Sequence, residues 1–389
     1  MMGSSSACIL TADVVSNVVL CREHFRLTLR VPGFPEARPG QFVHLCPAER
    51  ETGEYGVWDL QEDEVAWRGR TEAWRERLGE PMLRRAFSIA GLRRAERRSP
   101  QIEEEPGSLR RGDRLGNPIP GTRSPEPDAR ILNPEPSCEL DVIYRVVGAG
   151  TRWMSTLTAG DRVSVLGPLG NAFPIRTDKR HAWMIAGGVG LPPMLWLAEA
   201  LQRAERSAVA FCGARSADLL ALTFTSRAVA REGGEERPHR SATGTASGIV
   251  PSSDARTATL CTTEFNALNT PVVIATDDGS LGFHGHIGAA MAAYHDANPV
   301  SPEDLVIYTC GPEMMMRFVA EFALARGIEC LVCMERSMAC GMGTCQSCVL
   351  PVAEPSDAAG WRYSLCCTEG PVYEASQLLW VTPDRGCRV

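Results

Sequence analysis

Seven of the fifteen cysteines in this 389-residue chain crowd into residues 330–367, and three of them stand in a single run, ERSMACGMGTCQSC. Cys340, Cys345 and Cys348 are spaced C-x4-C-x2-C, and Cys366 and Cys367 follow after the next loop. The chain is too long, and its cysteine count too odd, for a disulfide-stapled mini-domain. Clustered thiols in a reducing compartment point instead to metal or redox chemistry. Plant-type 2Fe–2S sites use this spacing. A site of four thiolates and bridging sulfides is negatively charged, so backbone N–H groups must turn toward it. Gly341 and Gly343 let the loop wrap closely enough to present them. The fourth ligand is open between Cys366 and Cys367, whose side chains leave an extended chain in opposite directions. A structural zinc is the competing reading, since Cys330, Cys333, Cys345 and Cys348 form two C-x2-C pairs eleven residues apart. It leaves Cys340 and the Cys366–Cys367 pair without a role, and it places Cys330 and Cys333 in a strand-like run. The remaining cysteines are scattered singly, as small buried hydrophobes are.

The rest of the chain divides by periodicity. Residues 14–46 read as short strands, VVSNVVL, FRLTLRV and GQFVHLC, punctuated by Pro and Gly as in a small β-barrel. Further strands are expected at RAFSI (85–89), LDVIYRVV (140–147) and DRVSVL (161–166). From Ala182 strands and helices alternate, which implies a parallel α/β sheet. The expected organisation is a β-barrel domain over 1–175, an α/β nucleotide-binding domain over 176–330 and a cysteine-bearing domain over 331–389. Residues 47–81, 91–138 and 223–270 fit neither pattern and read as insertions. The first carries four Tyr and Trp residues amid charge, the second eight prolines and no aromatic residue, and the third much Ser, Thr, Ala and Gly.

Composition excludes several function classes. Lys and Arg number 40 against 47 Asp and Glu, a formal charge of −7 with no basic block, which gives no reason to expect nucleic-acid or anionic-membrane binding. No apolar run approaches the ~20 residues of a spanning helix, and the start, MMGSSSACILTADVV, lacks the pattern of a secretion signal. A cytoplasmic location is expected.

Three segments suit a dinucleotide cofactor. RRAFSIA places Arg85 and Phe87 on one strand face and Ala86 and Ser88 on the other. YRVVGAGT supplies a Gly-rich turn with Thr151, suited to phosphate oxygens. AGGVGLPPM sets glycines between a strand and a helix N-terminus, where a pyrophosphate gains from the helix dipole. It is not a G-x-G-x-x-G, and alone it reads equally well as a tight turn.

In this order, RRAFSI, YRVVGAGT, GDRVSVLGPLGNAF, GGVGLPP, TDDGSLG, YTCGPEMM, ERSMACGMGTCQSC and CTEGPV resemble the ferredoxin–NADP reductase superfamily. Within it, the chain is most similar to the electron-transfer subunits of NAD-linked dihydroorotate dehydrogenase. The resemblance implies FAD, a 2Fe–2S cluster and NAD as cofactors. It implies that Arg85 pairs with the FAD pyrophosphate and Ser88 orients flavin N5, on a strand with Ala86 and Phe87 between them. Ala86 stands where the family usually has Pro. Tyr144, Arg145, Val146, Gly150 and Thr151 would form the second flavin segment. Gly187, Gly188, Gly190 and Pro192 would form the nicotinamide-dinucleotide loop, and Cys310, Gly311 and Pro312 would lie near the nicotinamide. The family's last cluster ligand precedes two residues and then Gly-Pro, a spacing met by Cys367, so the implied ligands are Cys340, Cys345, Cys348 and Cys367.

The implied path runs from an FMN-containing catalytic subunit that oxidises dihydroorotate, through the cluster and FAD, to NAD+, in a heterotetramer serving pyrimidine synthesis. No catalytic acid or base for dihydroorotate is expected on this chain. One alternative is the small subunit of another flavin/iron–sulfur reductase, such as a ferredoxin:NADP+ oxidoreductase or a sulfide dehydrogenase. A second is a non-catalytic zinc-binding protein. NAD against NADP stays open at GARSADLL, where Arg215 and Ser216 could meet a 2′-phosphate or simply start a loop.

Overall fold

The computed structural model describes residues 7–48, 84–94, 137–224 and 251–380. Six antiparallel strands close a barrel: β1 (Cys8–Cys21), β2 (His24–Pro32), β3 (Phe42–Pro47), β4 (Arg85–Arg94), β5 (Ser137–Arg145) and β6 (Arg162–Leu169), in the order β1-β2-β5-β4-β3-β6. Alternation within each strand decides what fills it. Leu27, Leu29 and Val31 of β2, Val43 and Leu45 of β3, and Leu140 and Val142 of β5 point inward and form one core. The outward set is not all solvated, and this sets up everything that follows. Ala90 and Ile143 pack into one face of the neighbouring sheet, while Phe42, Leu166 and Leu169 pack into the core that also holds Cys348, Cys366 and Cys367.

The second unit is a seven-stranded sheet. Its strands are β7 (His181–Gly187), β8 (Ser207–Ala214), β9 (Val272–Thr276), β10 (Phe283–His284), β11 (Leu305–Cys310), β12 (Glu329–Cys333) and β15 (Val372–Glu374), in the order β10-β9-β8-β7-β11-β12-β15. All neighbours are parallel except β12 and β15. Both faces are covered, so β7 reads as a continuous apolar run. Ala182, Met184 and Ala186 meet the helix α2 (Leu191–Arg203), whereas Trp183 and Ile185 meet the opposite core, built with α4 (Ile287–Ala297) and α5 (Glu313–Leu324). Two further short helices are α1 (Ala149–Met154), following β5, and α3 (Thr263–Asn266). A hairpin of β13 (Val349–Ala353) and β14 (Trp361–Leu365) follows the cysteine run.

The structure departs from the sequence expectations in three places. The division drawn at residue 330 falls inside β12, and the cysteine-bearing segment returns to the sheet as its edge strand β15. Of the stretch 223–270, read as an insertion, residues 251–270 belong to the core: Ala255, Cys261 and Phe265 are buried in it. An irregular segment anchored by single side chains has no periodicity to announce it. Residues 91–94 and 137–138 likewise belong to β4 and β5 rather than to a loop. The expected insertions otherwise lie mostly outside the described residues.

Candidate functional site

The strand order reverses between β7 and β11, and the carboxyl ends of those strands open onto a cleft of about 950 Å³ against the barrel. This is where ligands bind in open α/β sheets. Three parts of the chain line it. The barrel supplies Ala86, Phe87, Ser88, Tyr144, Arg145 and Thr151; the sheet supplies Gly187, Gly188, Pro192, Cys310 and Pro312; and the segment after β12 supplies Met334, Glu335, Arg336 and Met338. The cleft wraps the end of β4, so residues from both faces of that strand reach it.

Five of the expected cofactor residues are placed around the cleft rather than on its wall. Arg85 lies across the Gly150 turn: a Cβ built on Gly150 would sit 3.4 Å from the Arg85 Nε. The first two flavin segments therefore meet through these two residues. The Val146 N–H donates to the Glu23 carbonyl at 2.8 Å, which ties the chain to the β1–β2 turn. Gly190 and Gly311 hold the two strand ends together. A Cβ on Gly190 would lie 2.0 Å from the Cys310 carbonyl oxygen, so only glycine allows this approach.

Several side chains in the cleft are already engaged. The Arg145 guanidinium donates twice to the Glu23 carboxylate, at 2.9 and 2.8 Å. The Thr151 hydroxyl accepts from the N–H groups of Val147 and Gly148, closing its own turn. The Tyr144 hydroxyl donates to Asn17 Oδ1 at 3.2 Å, and burial pushes it up to about 12, so it remains a neutral donor. At the start of α2, Pro192 and Pro193 carry no N–H. The helix dipole persists, and the donors left to a phosphate come from the glycine turn.

Sequence reasoning assigned no role to Glu335 or Arg336 on the far wall. Glu335 has an exposed side chain at the cleft edge, yet the protein around its carboxyl desolvates it and raises it above the usual range. The Cys310 thiol donates to Glu335 Oε1 at 3.8 Å, and its contact with Cys333, together with burial, pushes that thiol far up. Arg336 pairs with Glu313 at 2.8 Å and so pins this segment to the first turn of α5. Arg215 and Asp277 also line the cleft. Glu335 and Arg336 open the ERSMACGMGTCQSC run and Asp277 lies in TDDGSLG, but nothing in either string places them across from the barrel.

Beyond Met338 the chain enters the cysteine loop. Gly341 and Gly343 have φ of +74° and +84°, the left-handed conformation that favours glycine. The N–H groups of Met342 and Cys345 donate to Cys340 Sγ at 3.5 and 3.4 Å, and that of Cys367 donates to Cys348 Sγ at 3.4 Å. Hydrogen bonds from Ser347 pull the exposed Cys345 thiol down to about 6. The thiols fall into two contacting pairs, Cys340 with Cys345 and Cys348 with Cys367. Cys366 turns away and donates to the Met334 carbonyl at 3.5 Å. Among the described residues, no three His, Cys, Asp or Glu side chains converge on one point as a single ion would require. Two pairs of thiols with N–H groups aimed at their sulfurs fit a two-iron cluster, each pair serving one iron and sulfides completing each shell. They do not fit zinc held by Cys330, Cys333, Cys345 and Cys348, because Cys330 and Cys333 emerge on opposite faces of the sheet.

A closed barrel set against a parallel sheet, with a cofactor-sized cleft between them and an iron–sulfur loop behind it, defines a ferredoxin reductase-like oxidoreductase. A solved structure of an NADH-dependent reduced ferredoxin–NADP oxidoreductase has the same fold: it covers 98% of this chain and 92% of its own at a TM-score of 0.56, with 20% identity. Residues 335–379 match the family model of the iron–sulfur cluster binding domain of dihydroorotate dehydrogenase B. The chain is 30% identical over 262 residues to the dihydroorotate dehydrogenase B (NAD(+)) electron transfer subunit of Geobacillus kaustophilus, covering 65% of this chain and 81% of the relative. It is 31% identical over 239 residues to that of Listeria monocytogenes, covering 61% and 74%. The chain belongs to the family of dihydroorotate dehydrogenase B electron transfer subunits.

Proposed function

We propose that this chain takes electrons singly from a dihydroorotate dehydrogenase subunit carrying FMN and delivers them in pairs to NAD+, in a cytoplasmic heterotetramer that serves pyrimidine synthesis. One observation carries the reading. The segment that lines the cleft through Met334 and Met338 runs directly into Cys340. Two residues span at most about 7 Å, so the cysteine loop begins where the cleft wall ends. When bound, FAD in the cleft and a 2Fe–2S cluster in the loop supply a two-electron and a one-electron carrier, which is what joining an organic oxidation to single-electron transfer requires.

The chain's own residues then bind and orient. Arg85, steadied over Gly150, neutralises the FAD pyrophosphate, and Ser88 presents its hydroxyl to flavin N5. Ala86, Phe87, Tyr144, Arg145, Val146 and Thr151 shape the flavin side. Gly187, Gly188, Gly190 and Pro192 receive the nicotinamide dinucleotide at the helix start, with Cys310, Gly311 and Pro312 beside its ring. Cys340, Cys345, Cys348 and Cys367 ligate the irons. Met342, between the first two, is 58% exposed, which supports a partner docking at the loop's outer edge. No helix among the described residues is long and apolar enough to cross a membrane.

The test is the visible spectrum of anaerobically purified protein before and after NADH. Flavin and iron–sulfur bands that bleach with NADH are expected. Failure to bind either group after reconstitution with FAD, iron and sulfide overturns the reading. The partner is tested by mixing with an FMN-containing dihydroorotate dehydrogenase subunit. Dihydroorotate-dependent NAD+ reduction and a complex with the mass of two copies of each chain are expected; neither appearing would refute the assembly.

A further inference from the structure

His44 lies on β3, where alternation sends Val43 and Leu45 into the barrel and turns the imidazole outward, toward the cysteine-bearing segment. It is fully buried, at 0% exposure, and neither ring nitrogen has a hydrogen-bond partner among the described residues. A neutral imidazole always carries one N–H, and a buried donor left unpaired costs about 1–3 kcal/mol. A His that merely filled space here would be better replaced by Leu or Phe.

The direction of the ring is informative. A Cβ built on Gly341 would lie 2.8 Å from His44 Nε2 and 3.0 Å from its Cε1. The imidazole edge therefore rests on the backbone between Cys340 and Met342, and glycine at 341 is what lets it approach. The other named neighbours are apolar: Leu169 Cδ1 lies 3.0 Å from the same point, and the Phe42 ring centroid is 5.8 Å from that of His44. Arg84 is the charged exception, and its guanidinium can only donate. A donor aimed at a loop built to hold negative sulfur, with no acceptor among its other named neighbours, has one fitting acceptor.

We infer that His44 donates a hydrogen bond from the barrel to the sulfur cluster held by the 340–348 loop, and that it raises the cluster's reduction potential. The inference rests on the cysteine site proposed above. A hydrogen bond to sulfur stabilises the more negative, reduced cluster more than the oxidised one. His44 is a positioning and tuning residue, not a ligand. It links the strand whose Phe42 lines the cleft to the loop that packs on the same outward face of that strand.

The experiment uses the full cofactor-loaded chain. In His44→Leu, the ratio of reduced to oxidised cluster at a fixed potential is expected to fall about tenfold, a shift of ~59 mV for a one-electron couple. His44→Gln, which keeps an N–H donor, is expected to recover most of it, with flavin content unchanged. Midpoints within error of wild type in both variants would overturn the inference. Wild-type protein labelled with 15N-histidine provides a measurement that needs no variant to fold. Pulsed EPR of the reduced cluster should show a weak nitrogen coupling, absent from labelled His44→Gln. No histidine coupling in the wild type refutes the hydrogen bond. A wild-type chain that assembles no cluster at all refutes the cysteine site itself, and this inference with it.

Discussion

The cleft and the cysteine loop lie side by side but are built on opposite plans. The cleft is assembled from chain positions as far apart as Ser88, Gly187 and Glu335, each carried to its place by the end of a strand. No single side chain dominates it, and much of its polar equipment is already satisfied internally. The loop is almost entirely local. Three of its four thiols fall within nine residues, and N–H groups from the same run point at their sulfurs. A composite site distributes its tolerance, whereas a local ligand set fails when one member is lost. The difference lies in how many independent supports each group has.

The largest expected effect tests that asymmetry. Cys348→Ser or Cys367→Ser should abolish the iron–sulfur absorbance and EPR signal while leaving flavin content near normal. Cys366→Ser, one residue away, should keep the cluster, because its thiol faces Met334. Loss of the cluster in Cys366→Ser with retention in Cys367→Ser would reverse the assignment. The cleft has its own unforgiving point. Gly190→Ala forces a methyl against the Cys310 carbonyl and should cost on the order of 3 kcal/mol or more, read as a lowered thermal midpoint together with weakened NADH binding. An unchanged midpoint would mean that β7 and β11 can separate freely.

A smaller effect concerns Glu335. Desolvation by the surrounding protein raises its carboxyl in the folded chain, so the native state holds more protons than the unfolded one over that window. Stability then falls as pH climbs from the ordinary Glu value, about 4.3, through the raised one, and levels off above it. Glu335→Gln lacks this penalty, so its stability relative to wild type should grow with pH across that range in urea unfolding. A constant difference would place Glu335 in water. The smallest effect is expected at an exposed ion pair between the barrel and the sheet. Arg22 and Asp218 pair at 3.1 Å, but both are more than half exposed, and Arg22→Ala should change stability by about 0.5 kcal/mol or less. A larger loss would show that the two units depend on polar contacts as well as on their shared apolar cores.

The local features were legible because short-range rules govern them. Alternation at FRLTLRV and at LDVIYRVV marked β2 and β5, and the strand–helix alternation from Ala182 marked the parallel sheet whose strand ends frame the cleft. The C-x4-C-x2-C spacing with its two glycines identified an iron–sulfur loop before any coordinates. The strands β13, β14 and β15 were missed, since short strands with a Pro and half-exposed faces carry little pattern. Residues 251–270 were read as part of an insertion for a similar reason: Cys261 and Phe265 are buried one at a time.

What the amino-acid order settled was the set of units and the chemistry each could carry, because strand period, turn residues and ligand spacing act over a handful of neighbours. Three matters waited for the fold. One is the orientation of the adjacent thiols, with Cys367 turned toward Cys348 and Cys366 toward Met334. Another is the far wall of the cleft, where Glu335 meets Cys310 only because β11 and β12 lie in register. The third is His44, an ordinary residue of a β-strand until the outside of the barrel closes over Gly341. Each depends on which surfaces are pressed together and dehydrated, and that is a property of the whole packed chain rather than of any window along it.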